Sequence, residues 1–157
     1  MGSTSPWNAA DHTPASLRIS HDEARAELVR ATMKGGDTAV AAKRLATMCL
    51  PHFEAEEKFA FPALGLLPDL MKGLVRPEMA KVLALISEFG AKHAALEMQH
   101  DSIRSAIDDL LRASKDEGNR DTAEFALNMR NHERTEDEVI YPTVMMIGTY
   151  LRERLAT

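Results

Sequence analysis

Two stretches of the chain place a histidine and a glutamate four residues apart: His52 with Glu56, and His132 with Glu136. In an α-helix that spacing puts both side chains on one face, about 6 Å apart along the axis. An imidazole and a carboxylate so placed can bind one metal centre. One such pair arises by chance in any acidic helix, but here the match is longer. Both stretches follow H-x-x-x-E-[ED]-x-x-x-[FY]-P, from His52 to Pro62 and from His132 to Pro142.

The repeat also extends upstream. His21 to Leu28 and His100 to Ile107 share H-D-x-x-R-x-x-[LI]. His21 precedes His52 by 31 residues and His100 precedes His132 by 32. The chain therefore reads as two copies of one helical hairpin, each offering a single His and then a His with a Glu. For any one of these histidines, a hydrogen-bonded core residue is the ordinary reading. Four His and two Glu, each replacing an apolar residue of a helix seam in matched hairpins, point instead to a metal site. A buried carboxylate with no partner would be very costly. The candidate ligands are His21, His52, Glu56, His100, His132 and Glu136.

Other metal motifs fit less well. His132-Glu133 is not followed by His at 136, so there is no H-E-x-x-H protease motif. Glu97 and His100 form a single E-x-x-H, whereas ferritin-type centres need two. His93 lies two turns from His100, about 10 Å along the axis. It reads as a core residue or as an outer partner of a ligand, and as a ligand itself only if the helix is distorted at Gly90, with Glu97 as a spare ligand or hydrogen-bond partner. Asp22 and Asp101 read as exposed residues or as outer partners. Cys49 reads as a small core residue.

These residues need helices to hold them. Thr13 and Pro14 read as the N-cap and first residue of a helix that ends at Gly35-Gly36. Asp37 reads as the cap of a second helix, with Pro51 kinking it before His52. Residues 62–76 carry two Pro and two Gly and read as a connection with one helical turn. Pro77 opens a long third helix ending near Gly118. Asp121 and Glu124 form a capping box for a fourth, whose inner seam is Phe125, Met129, His132, Glu136 and Val139. Pro142 marks its end or a kink, and a short helix follows from Thr143. No strand pattern is present. Residues 1–12 read as a flexible tail and 13–157 as one domain.

With 157 residues, a single domain buries about 68–70% of its unfolded surface and needs no staple. The net charge of −5, with no basic run, argues against nucleic acid as partner. A single cysteine points to a reducing compartment, the cytoplasm. No signal peptide or apolar run of membrane-spanning length is found.

The pattern H … H-x-x-x-E … H … H-x-x-x-E resembles the hemerythrin-like family, specifically the HHE cation-binding domain, over about residues 14–145. The resemblance implies an all-α, up-down-up-down four-helix bundle with a short C-terminal helix. It implies two non-haem irons, oxo- or hydroxo-bridged, with the four histidines as terminal ligands and Glu56 and Glu136 bridging. Nitrogen and oxygen ligands also suit zinc or manganese, so iron rests on the resemblance. The function it implies is binding or sensing of a small oxidant or diatomic ligand (oxygen, nitric oxide, peroxide), or iron handling. Two alternatives stand beside it. One is a di-iron enzyme of peroxide disproportionation or oxidase chemistry; the other is an interaction module with a structural metal.

Overall fold

The structure, a computed structural model, describes residues 8–156. Among them the regular elements are all helical. In chain order they are α1 (Ala15–Thr32), α2 (Gly36–Phe59), single turns α3 (Phe61–Leu64) and α4 (Leu67–Leu70), α5 (Ala80–Asp116), α6 (Arg120–Thr135) and α7 (Tyr141–Leu155). A π turn, Glu136–Ile140, joins α6 to α7 without a break. α1 packs on α2 and α6, α2 on α5, and α5 on α6 and α7. Among the described residues no helix is long and apolar enough to cross a membrane.

Several expected boundaries hold and others move. α1 opens one residue late, capped by Pro14, and closes before Gly35 and Gly36, whose φ angles are +84° and +58°. Asp37 does not cap α2. The carboxylate of Glu117, from the far end of α5, accepts hydrogen bonds from the backbone N–H of Asp37 at 2.6 Å and of Thr38 at 3.0 Å. Only glycine permits this approach, since a Cβ on Gly36 would lie 2.2 Å from Glu117 Oε1. α2 runs on through Pro51 to Phe59. The connection at 62–76 holds two helical turns rather than one, the first opening at Phe61, and buries Leu64 and Leu66.

Residues 1–7 of the expected tail lie outside the described residues. Ala9–His12 forms a 3-10 turn that packs on α3, with the His12 carbonyl only 1.5 Å from where a Gly65 Cβ would sit. That turn belongs with the folded part of the chain.

The buried apolar residues form two cores. One gathers Leu28, Leu45, Phe53, Ile107 and Phe125; the other gathers Phe61, Ile86, Phe89, Val144 and Leu151. Along α1, α2, α5 and α6 with its π turn, the candidate ligands fall where these two groups meet. A polar layer therefore separates two apolar halves.

Candidate metal centre

All six candidate ligands meet in that layer. His52, Glu56, His100 and Glu136 each offer an atom within 4.8 Å of the others, and so do His21, His132 and Glu136. Glu136 belongs to both groups. Its Oε1 lies 2.7 Å from His132 Nε2 and 3.6 Å from His21 Nε2, while its Oε2 lies 3.4 Å from His100 Nε2. Glu56 is placed in the same way, with Oε2 3.5 Å from His21 Nε2 and Oε1 3.4 Å from His52 Nε2. Each carboxylate thus turns one oxygen toward each pair of histidines. Each of the two groups could hold a metal ion, and Glu136 is common to both.

The histidines are aimed from behind. His21 Nδ1 meets Glu57 Oε1 at 2.9 Å, His52 Nδ1 meets Gln99 Oε1 at 3.0 Å, and His100 Nδ1 meets Asp137 Oδ1 at 2.7 Å. His132 Nδ1 meets Ser20 Oγ at 3.3 Å. An outer partner on Nδ1 fixes ring orientation and leaves Nε2 to face a metal. The remaining repeat positions take matching places. Glu57 and Asp137, the acids following each glutamate, hold His21 and His100. Arg25 pairs with Glu57 and Asp22; Arg104 pairs with Asp137 and Asp101. The closing aromatics lie against the same histidines, Phe61 tilted on His21 at 4.8 Å and Tyr141 stacked on His100 at 5.4 Å.

The π turn changes what α6 presents. Pro142 has no N–H, and its ring crowds the carbonyl four residues before it. The Tyr141 N–H reaches back to the Glu136 carbonyl, five residues away, and the turn widens. One extra residue then separates the inner positions. Val139, expected on the seam, is 57% exposed, while Ile140 and Tyr141 turn inward. The helix does not end at Pro142, and the last helix begins at Tyr141 rather than Thr143.

Two site residues were not anticipated. Glu133 is fully buried, with Oε2 3.2 Å from His100 Nε2. The Tyr141 hydroxyl donates to Glu56 Oε1 at 2.5 Å and lies 3.2 Å from His100 Nε2. The sequence held a signal for Glu133, which is four residues after Met129 and three before Glu136, on the stripe an inner face occupies. His132 stands at the edge of that stripe, with a side chain 16% exposed.

Three carboxylates without solvent strain the site. Burial and then the charge of Glu136 raise Glu56 above the ordinary carboxylate range. The same two causes push Glu133 up to about 7. Burial acts upward on Glu136 too, but the close imidazoles of His100, His132 and His21 outweigh it and hold Glu136 well below its usual value. Burial pulls His100 down, yet Glu136, Glu133 and Asp137 outweigh it and raise the ring to about 9. The polar groups still do not satisfy one another. His21 Nε2, His132 Nε2, Glu56 Oε2 and both oxygens of Glu133 and Glu136 are buried without a hydrogen-bond partner. Even the short His132–Glu136 contact lacks hydrogen-bond geometry, as expected of two ligands turned toward a common point. Buried polar atoms normally find partners, and seven orphans in one layer fit a cation.

A pH dependence follows for the metal-free protein. Between about 4.5 and 7 the folded chain keeps a proton on Glu133 that the unfolded chain loses; between about 6.5 and 9 it keeps one on His100. In both windows the folded state binds more protons, so stability falls as pH rises. The melting temperature without metal is expected to drop steadily from pH 5 to pH 9. A flat or rising profile in a calorimetric series would show that these groups do not titrate as placed.

His93 and Glu97 stand outside the cluster. His93 is half-buried, lies edge-on to Phe89 and Tyr141, and approaches Glu97 at 3.6 Å. Cys49 is fully buried among apolar side chains, and burial raises its thiol. Asp22 and Asp101 are exposed and paired to arginines. No protein-family model, curated protein or solved structure matches this chain.

Proposed function

We propose that the protein is a non-haem dinuclear iron protein of the hemerythrin-like kind, an up-down-up-down four-helix bundle that binds or senses oxygen, nitric oxide or peroxide, or handles iron. One position is held by His21 and His132, the other by His52 and His100, and Glu56 and Glu136 span both. The observation that carries this reading is the set of orphaned ligand atoms facing one another between two apolar cores. Iron there would supply a redox-active centre with coordination positions open to a small molecule. The chain's own part is to fix the ligands, exclude bulk water and hold the Tyr141 hydroxyl proton beside Glu56. The lone Cys49 supports a reducing compartment, the cytoplasm.

The buried Tyr141 hydroxyl favours the second reading, an enzyme of peroxide or oxidase chemistry, because it places a hydrogen-bond donor inside the site. Turnover of peroxide by iron-loaded protein separates the two readings. The direct test of the first is elemental analysis after ferrous reconstitution, with anaerobic optical titration by oxygen and by nitric oxide. Two irons per chain and a ligand-dependent spectrum are expected. A single tightly bound metal, zinc in its place, or a spectrum unmoved by either gas would overturn it. The outer partners give a further expectation. Asp137→Asn and Glu57→Gln should each weaken metal uptake by about 10–100-fold in competition with a chelator. Unchanged affinity in both would mean that the Nδ1 contacts do not orient ligands.

A further inference from the structure

The two halves of the layer are matched by the repeat but not equal. After His52 the first copy has Phe53, which stacks flat on His21 at 4.1 Å. After His132 the second copy has Glu133, which faces His100. The closing aromatic is Phe61 in the first copy and Tyr141 in the second. The histidine contributed by α1 is therefore walled by carbon on two sides, and the histidine contributed by α5 meets a carboxylate and a hydroxyl.

We propose that Glu133 is a seventh protein ligand, a terminal carboxylate serving only the metal position of His52 and His100, which makes the two positions unequal. This rests on the dinuclear reading above. A Glu133 that merely paired with a charged His100 would accept a hydrogen bond from its Nε2. The contact lacks that geometry, and both Glu133 oxygens remain buried and unpartnered. The 3.2 Å separation of Glu133 Oε2 from His100 Nε2 is close to the roughly 3 Å between neighbouring ligands around a metal with bonds of about 2.1 Å. His52 Nε2, 2.8 Å from His100 Nε2, lies at the same kind of spacing. Charge agrees. Two divalent ions bring four positive charges into a dry layer, and Glu56 with Glu136 neutralise two; Glu133 neutralises a third.

The consequence is ordered filling. The position of His52 and His100, with the extra carboxylate, binds first and more tightly.

The test is anaerobic calorimetric titration of metal-free protein with ferrous iron, comparing wild type, Glu133→Gln and Glu133→Asp. Wild type should show two steps of different affinity. Glu133→Gln should lose at least about tenfold at the tighter step, the lower end of what losing a group that only orients a ligand costs. The weaker step should stay unchanged. Adding His21→Ala to Glu133→Gln should then weaken the unchanged step, and adding His52→Ala should not. Glu133→Asp draws the carboxylate back by one methylene and should show the same one-sided loss, which keeps the test open if the Gln variant does not fold. Two unchanged steps in the variants, or equal weakening of both, would overturn the role of Glu133 and leave the dinuclear reading standing. A wild-type protein that takes up no iron would sink both.

Discussion

Ferrous iron is expected to raise the melting temperature by roughly 8–16 °C for each filled position, once free metal stands about a thousandfold above its dissociation constant. At that ratio a ligand bound only by the folded state adds about 4.1 kcal/mol. For a chain of this size, about 1 kcal/mol moves the midpoint by roughly 2–4 °C. The gain should widen as pH rises, because bound metal displaces the protons that His100 and Glu133 otherwise hold. The two effects oppose each other in sign. The metal-free protein weakens toward pH 9, while metal affinity strengthens. Equal midpoints with and without iron at pH 8 would mean that the orphaned atoms are not ligands.

The second large effect separates spanning from terminal groups. Glu136 turns its two oxygens to different pairs of histidines, so Glu136→Ala should weaken both irons by at least about 100-fold, the upper end of losses from an outer partner alone. His21 reaches Glu56 and Glu136 through one nitrogen, and His21→Ala should release mainly one iron. His93 touches none of the six ligands' metal-facing atoms, and His93→Ala should keep both. Circular dichroism checks that all three stay helical, and iron per chain is the readout. Full iron in the Glu136 variant, or loss in the His93 variant, would reverse these assignments.

Four of the six clustered residues were legible because the α-helix itself sets their spacing: a histidine and a glutamate four apart share a face whatever surrounds them. His21 and His100 were legible only through the repeat. Glu133 is hidden by the seam that runs through His132, whereas the buried stripe from Met129 to Glu136 lies nearer to Glu133. The π turn left no trace in periodicity. One extra residue displaces everything after it, yet Pro142 reads equally well as an end or a kink. The cap of α2 was misassigned for a different reason. Asp37 has the right local chemistry, but Glu117, 80 positions along the chain, takes the N–H groups of Asp37 itself and Thr38 past Gly36, and local sequence carries no mark of that meeting.

The polar layer between the two apolar cores also bears on cooperativity. A continuous core transmits unfolding from end to end, whereas a layer of mutually repelling carboxylates is a seam along which a protein opens locally. Amide exchange should show this. Without metal, the backbone around Leu28, Leu45 and Phe125 and that around Ile86, Val144 and Leu151 belong to different protection classes. If two cations tie Glu56 to Glu136 as proposed, the halves should exchange as one unit.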